Sequence, residues 1–232
     1  MADLYTGNSD GSCTNAAGSF AAARDGTAGA DVNKVAAKQS NLTMIFPRKG
    51  LVIVSRSFFI FNTSGITGTV SSAAFKIFGD AVNTGSIIAV KSTAFGAGDL
   101  EAGDFSAITG FQTGASLDGE ATDYSTAITT TGWSTSAYNN LPSTADLRAD
   151  MQNNGSVIIC VMNYTHDYLN SAPGSPVQIG GFYTNNPGTS KDPYIEYEVA
   201  TGYGNKVLGV TAGNIAKVDG VATANIEKVI GV

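Results

Sequence analysis

The sequence predicts an all-β protein: a β-sandwich with jelly-roll or Greek-key connections, one short helix, and a short repetitive β-rich C-terminal tail. Three observations carry this expectation. Charged residues are only 14% of the chain against 43% hydrophobic ones, and the polar remainder is mostly Gly, Ser, Thr and Asn, a composition suited to strands and turns. Several short runs are β-branched and aromatic, and clusters of turn residues separate them. Just one segment carries helix start and stop signals. At 232 residues the chain is long enough for one sandwich plus an appendage.

Residues 1–30 are rich in Gly, Ala, Ser and Asp and predict one or two short strands with loops. From Leu51 to Phe61 the chain is β-branched and aromatic, with apolar residues on both alternating faces around Phe58 to Phe61. Such a strand is expected at the centre of a sheet, covered on both sides. After a turn at Ser64-Gly65, Val70 to Phe78 alternates with Ala73, Phe75 and Ile77 on one face. Further strands are expected at Ile87 to Lys91, at Val157 to Met162 and at Tyr194 to Val199. The last sets Ile195, Tyr197 and Val199 against Glu196 and Glu198, a dry face and a wet one. The helix is expected at 143–155, with Ser143 and Asp146 as a capping box and Asn154-Gly155 as a left-handed stop.

The domain expected over residues 1–200 gives way to a different text. Lys206-Val-Leu-Gly-Val210, Lys217-Val-Asp-Gly-Val221 and Lys228-Val-Ile-Gly-Val232 repeat at a spacing of eleven, with Asn214-Ile215 and Asn225-Ile226 between them. Glycine in every unit and the Val and Ile content favour short strands and turns over a helix. Each unit is too small to bury its own apolar residues. The tail over 201–232 is therefore expected to dock or to oligomerise through Val207, Val210, Ile215, Val218, Val221, Ile226, Val229 and Val232.

Composition and motifs bear on chemistry as well. A net charge of −6 with no cluster of Lys or Arg disfavours a nucleic-acid partner. The opening is polar and unlike a signal peptide, and no apolar run approaches a membrane span, so neither a leader nor a membrane partner is expected. Cys13 and Cys160 are expected as free thiols, with Cys160 in the core. The one histidine, His166, has no nucleophile motif around it. Asp99, Glu101, Asp104, Asp118, Glu120 and Asp123 form an acidic stretch that reads as a solvated loop; paired carboxylates for glycoside hydrolysis, or a cation held by them, are the alternatives. No catalytic residue, metal ligand or cofactor is assigned. Among the aromatic residues, Trp133, Tyr138, Tyr164 and Tyr168 are candidates for stacking on a sugar ring, with Tyr183 and Tyr194 beside them, and core packing is the competing reading.

Arg56-Ser-Phe-Phe-Ile-Phe-Asn-Thr-Ser-Gly-Ile66, followed by Val70-Ser-Ser-Ala-Ala-Phe-Lys-Ile-Phe78, resembles the DNRLRE-type family of jelly-roll modules. More of that pattern follows in order: Asp104-Phe105, Trp133 leading to Tyr138-Asn139, the helix, Asp167 after a buried strand, and Asp192-Pro-Tyr-Ile-Glu-Tyr-Glu-Val199. Asp10-Gly11 and Arg24-Asp25 resemble the family's first strand region, so the likeness spans roughly residues 9–199. Asn62 stands where the family has Asp, and the secreted, sugar-associated members carry signal peptides. Similar modules occur in structural proteins of tailed phages, whose C-terminal segments the Lys-Val-x-Gly-Val tail resembles. The resemblance implies a non-catalytic virion structural protein, a capsid decoration or head-fibre subunit at the particle surface. Its implied partners are other virion proteins and its own copies, a trimer by analogy to fibres and spikes. An extracellular carbohydrate-binding module with a glycan on a host surface is the second expectation, and a hydrolase using acidic loop residues the third.

Overall fold

The computed structural model of the chain describes residues 1–7, 9–27, 31–34, 38–96, 98–183, 191–200, 217–218 and 221–222. Its strands are β1 (Ala2–Tyr5), β2 (Gly11–Ala17), β3 (Asp31–Asn33), β4 (Lys38–Arg48), β5 (Leu51–Asn62), β6 (Val70–Val82), β7 (Ser86–Lys91), β8 (Ile128–Thr129), β9 (Tyr138–Pro142), β10 (Ser156–Asn163), β11 (Val177–Phe182), β12 (Tyr194–Val199), β13 (Lys217–Val218) and β14 (Val221–Ala222). Two α-helices, α1 (Phe20–Arg24) and α2 (Ala145–Asn153), and a π-helical turn at Tyr164–Tyr168 interrupt them. The protein is an all-β sandwich.

All the strand pairs are antiparallel, and the main path runs β1-β12-β6-β11-β4-β5-β10-β7-β8. β12 lies between β1 and β6, and β10 between β5 and β7, so strands distant in sequence become neighbours through crossovers. β6 carries β12 on one edge and β9 on the other, because Ala74 and Lys76 pair with both. Strands β1, β12, β6 and β9 make one layer. The other layer is organised on β5, which β2 borders along one edge while β4 and then β10 share the opposite one.

Two apolar clusters fill the two sides of β5, as the double-faced run from Leu51 to Phe61 predicts. Phe59 and Phe61 face the β6 layer and meet Phe75, Ile77, Leu141, Ile159 and Ile195 there. Phe59 and Phe61 each sit edge-to-face on Phe75, at 5.2 and 5.5 Å between ring centroids. Phe58 and Val54 point the other way, among Cys13, Ile88, Val90, Cys160 and Met162. What covers that second side is not a sheet. The segment between β7 and β8 crosses it, contributing Ala94, Phe95, Leu100, Phe105, Ile108 and Leu117 to the cluster. A connection of that length with so little regular structure is uncommon, and here it acts as a third layer.

The helix is shorter than its sequence signals suggest and differently capped. Thr144 is the N-cap, its hydroxyl accepting from Leu147 N, whereas Ser143 accepts from the Arg148 guanidinium. The chain leaves at Asn154 in an extended conformation, φ −114°, with no left-handed stop, because it runs directly into β10. Helix α1, which the sequence reading places among loops, begins at the Ser19 cap and is held by tertiary contacts. Five residues are too few to be helical unaided.

Candidate functional site

The motif residues scattered along the chain meet in one buried cluster. Arg56 leaves β5 on the side of the long connection and lies fully buried with Asp167 of the π-helical turn. Its Nε and Nη2 donate to the two carboxylate oxygens of Asp167, each at 2.7 Å. Nη1 donates to the Phe105 carbonyl at 2.7 Å, and Nη2 also to the Arg24 carbonyl at 2.9 Å. Arg24, equally buried, donates from Nε to the Asp167 carbonyl at 2.7 Å and from Nη2 to the Ala115 carbonyl at 2.7 Å. Asp25 accepts from Arg24 and from Gly114 N. Phe105 and Phe111 stack on the Arg56 guanidinium at 4.1 and 4.8 Å. Two cations thus meet two carboxylates; Arg56 also holds one backbone carbonyl of the long connection, that of Phe105, and Arg24 holds two, those of Gln112 and Ala115. The cluster fixes the third layer to the sheet.

The acidic stretch is largely engaged in local structure. Asp104 accepts from Glu101 N and Phe95 N to close the turn at 102–106. Asp99 pairs with Lys34 at 2.6 Å. Asp123 accepts from the Tyr168 hydroxyl at 2.9 Å, and burial raises its pKa against that hydrogen bond. Among the described residues no group of three His, Cys, Asp or Glu side chains is arranged to hold a metal ion. His166 sets Nδ1 2.6 Å from the Ser171 carbonyl. Asn62, where the resembled family has Asp, accepts from the amide and hydroxyl of Ser64 and so shapes the turn after β5.

The sugar-stacking candidates separate. Trp133 is 7% exposed and packs into the core between the layers, whereas Tyr168, at 1%, belongs to the cluster on the far side of β5. Neither offers a ring face to a ligand. This corrects the expectation of a platform made from Trp133, Tyr138, Tyr164 and Tyr168: apolar packing claimed the rings that composition alone could not place. Tyr164 stacks on Tyr168, with centroids 5.3 Å apart. Tyr183 is buried against Phe59 and shares a hydrogen bond with the Ser57 hydroxyl at 2.5 Å. Tyr138 and Tyr194 are half-buried, as Tyr164 is, and meet edge-to-face at 5.0 Å; Tyr5, absent from the sequence-predicted set, extends the row at 5.3 Å from Tyr194. Its signal was the alternation of Asp3 and Tyr5 with Ala2 and Leu4.

In the tail, β13 and β14 pair antiparallel, Lys217 with Ala222 and Val218 with Val221, and Asp-Gly is the text between them. Asp-Gly is a preferred two-residue hairpin loop. The remaining docking candidates, Val207, Val210, Ile215, Ile226, Val229 and Val232, lie outside the described residues. No family model matches the chain, and no curated protein matches it.

Proposed function

We propose that this chain is a non-catalytic virion structural protein, a capsid decoration or head-fibre subunit, in which a sandwich domain over 1–200 is presented by an assembly tail over 201–232. The observation that carries this reading is the strand pair in the middle repeat. It has two residues per strand and Lys217-Val-Asp-Gly-Val221 as its text, and the same text recurs eleven residues to either side. A strand pair of that size is not stable alone in water, so repeated copies call for a surface to pack on. A second copy of the chain or another particle protein supplies it, and closed symmetry, with a trimer first in line, keeps the repeats in register.

Light scattering coupled to size exclusion, on the full chain and on a chain ending at Val199, tests the reading. It predicts an oligomer that falls to a monomer on truncation. A full chain that is monomeric at all concentrations, with a tail readily removed by protease, contradicts it.

A further inference from the structure

Strand β1 is an edge that the fold leaves open. It pairs with β12 on one side and ends the path of strands. In an antiparallel pair every second residue turns its amide and carbonyl toward the partner, and the residues between turn theirs away. Thr6 N donates to the Pro193 carbonyl at 3.2 Å, and the same register pairs Leu4 with Ile195 and Ala2 with Tyr197, so the even-numbered residues face β12. The odd-numbered ones face the other way. At Gly7 that outer side is closed, because Gly7 N donates to the Ile60 carbonyl of β5 at 3.1 Å. At Asp3 and Tyr5 no described backbone group closes it, which leaves two N–H and two C=O groups in a row. An edge of this kind takes up an extended segment by strand addition.

The tail carries segments that match. β13 and β14 make a sheet of only two strands, Lys217-Val218 against Val221-Ala222, and such a pair needs a third strand or a surface to stand in water. Side chains on β1 alternate: Leu4 packs against the core, whereas Asp3 and Tyr5 are exposed. An added strand with Val218 in the inward row beside Leu4 puts Lys217 in the outward row with Asp3. Charge agrees with this. The tail over 201–232 holds Lys206, Lys217 and Lys228 against Asp219 and Glu227, whereas the whole chain is at −6. Around the edge Asp3, Glu196 and Glu198 outnumber Lys76 and the Met1 ammonium.

Resting on the assembly reading of the tail, we propose that the open edge of β1 at Asp3 and Tyr5 is the acceptor for the strand Lys217-Val218 from the tail of a second copy. The chain's own tail starts past the end of β12, where Val199 and Ala200 border one groove with Met1 and Ala2. β1 itself stands between that start and its open edge, so the added strand comes from a neighbour. Each copy then gives one strand and receives one, a heterologous contact that closes into a ring.

Sedimentation velocity and thermal unfolding of full-chain variants test the proposal. Asp3→Pro deletes an outward N–H and leaves every N–H donated to β12 in place. It is expected to weaken association about tenfold, with the main unfolding transition unchanged. Asp3→Lys, an exposed change, weakens association about twofold to fivefold, and Lys217→Asp added to it restores the affinity. Asp3→Cys combined with Lys217→Cys is expected to give disulfide-linked chains on oxidation, since Cys13 and Cys160 are buried. An oligomer indifferent to Asp3→Pro and to Asp3→Lys overturns the proposal and leaves the assembly reading standing, whereas a parent that is monomeric throughout overturns both. A disulfide formed within one chain places the tail on its own sandwich and overturns the proposal as well.

Discussion

Arg56 and Asp167, 111 residues apart in sequence, form a bidentate ion pair with both N···O distances at 2.7 Å and neither side chain exposed. One residue belongs to the strand that organises the sandwich, the other to the turn that ends β10. A pair so buried gains little over well-packed apolar residues, but removing one partner strands a charge in the core. Arg56→Met alone and Asp167→Asn alone are each expected to cost about 3–5 kcal/mol in urea unfolding. Because both arginines also hold carbonyls at 105–115, limited proteolysis of these variants is expected to cut first between β7 and β8. Stability within about 1 kcal/mol of the parent would show that the pair does not anchor that layer.

The two thiols give a second prediction. Cys13 and Cys160 are buried and unpaired on strands flanking β5. Burial pushes the Cys13 thiol up to about 12, with Asp104 adding to the rise, and pushes Cys160 well above its usual value. At pH 8 both are thiols, not thiolates, and a thiol reagent cannot reach them. Titration with a chromogenic disulfide is expected to find no fast-reacting cysteine in the folded chain and two after denaturation.

A third concerns Gly110, in the long connection, at φ +80°. A Cβ there would stand 2.0 Å from the Glu120 carbonyl oxygen, whereas one at Gly114, φ +71°, would meet nothing. Gly114→Ala bears only the backbone penalty of about 1 kcal/mol, and Gly110→Ala adds a clash with backbone worth about 1–3 kcal/mol more. Thermal unfolding of the two variants is expected to rank them in that order.

Asp150 supplies a pH dependence. Burial alone would raise its pKa, but Lys91 Nζ at 2.8 Å, the Tyr124 hydroxyl at 2.5 Å and Asn154 Nδ2 at 2.8 Å all donate to it, and the net shift is downward. A folded pKa below the unfolded one stabilises above the ordinary carboxylate range of about 4 and is lost as the pH falls through the folded value. Asp150→Asn is therefore expected to be less stable than the parent at neutral pH, with the gap narrowing below about pH 4. A gap that stays constant with pH would assign the loss to packing instead of charge.

Much of the fold is legible in the text of the chain, and particular residues show why. The run from Leu51 to Phe61 predicts a strand buried on both faces because apolar residues occupy both parities, and the structure places Phe59 and Phe58 in opposite clusters. Alternation at 194–199 puts Ile195 inward and Glu198 outward. Alternation names a face, however, and not what covers it. The covering of β5 by the segment between β7 and β8 has no periodic signal, since turns, carbonyl contacts to Arg24 and Arg56, and a few apolar side chains hold that segment in place. Helix α1 is equally silent, being too short for periodicity. Aromatic composition suggests a stacking surface, but which rings are free depends on layer packing: Trp133 and Tyr168 are consumed by the core, while Tyr5, near the start of the chain, stands exposed.

In the proposed function the repeated Lys-Val-x-Gly-Val units are an assembly element attached to the sandwich. Sedimentation velocity on the full chain and on a Val218→Asp, Val221→Asp variant, which strikes one of the two residue pairs between β13 and β14, tests this. The parent is expected to sediment as an oligomer and the variant as a monomer or a smaller species, with the main unfolding transition unchanged. The same mass for both proteins, or a monomeric parent, would contradict it.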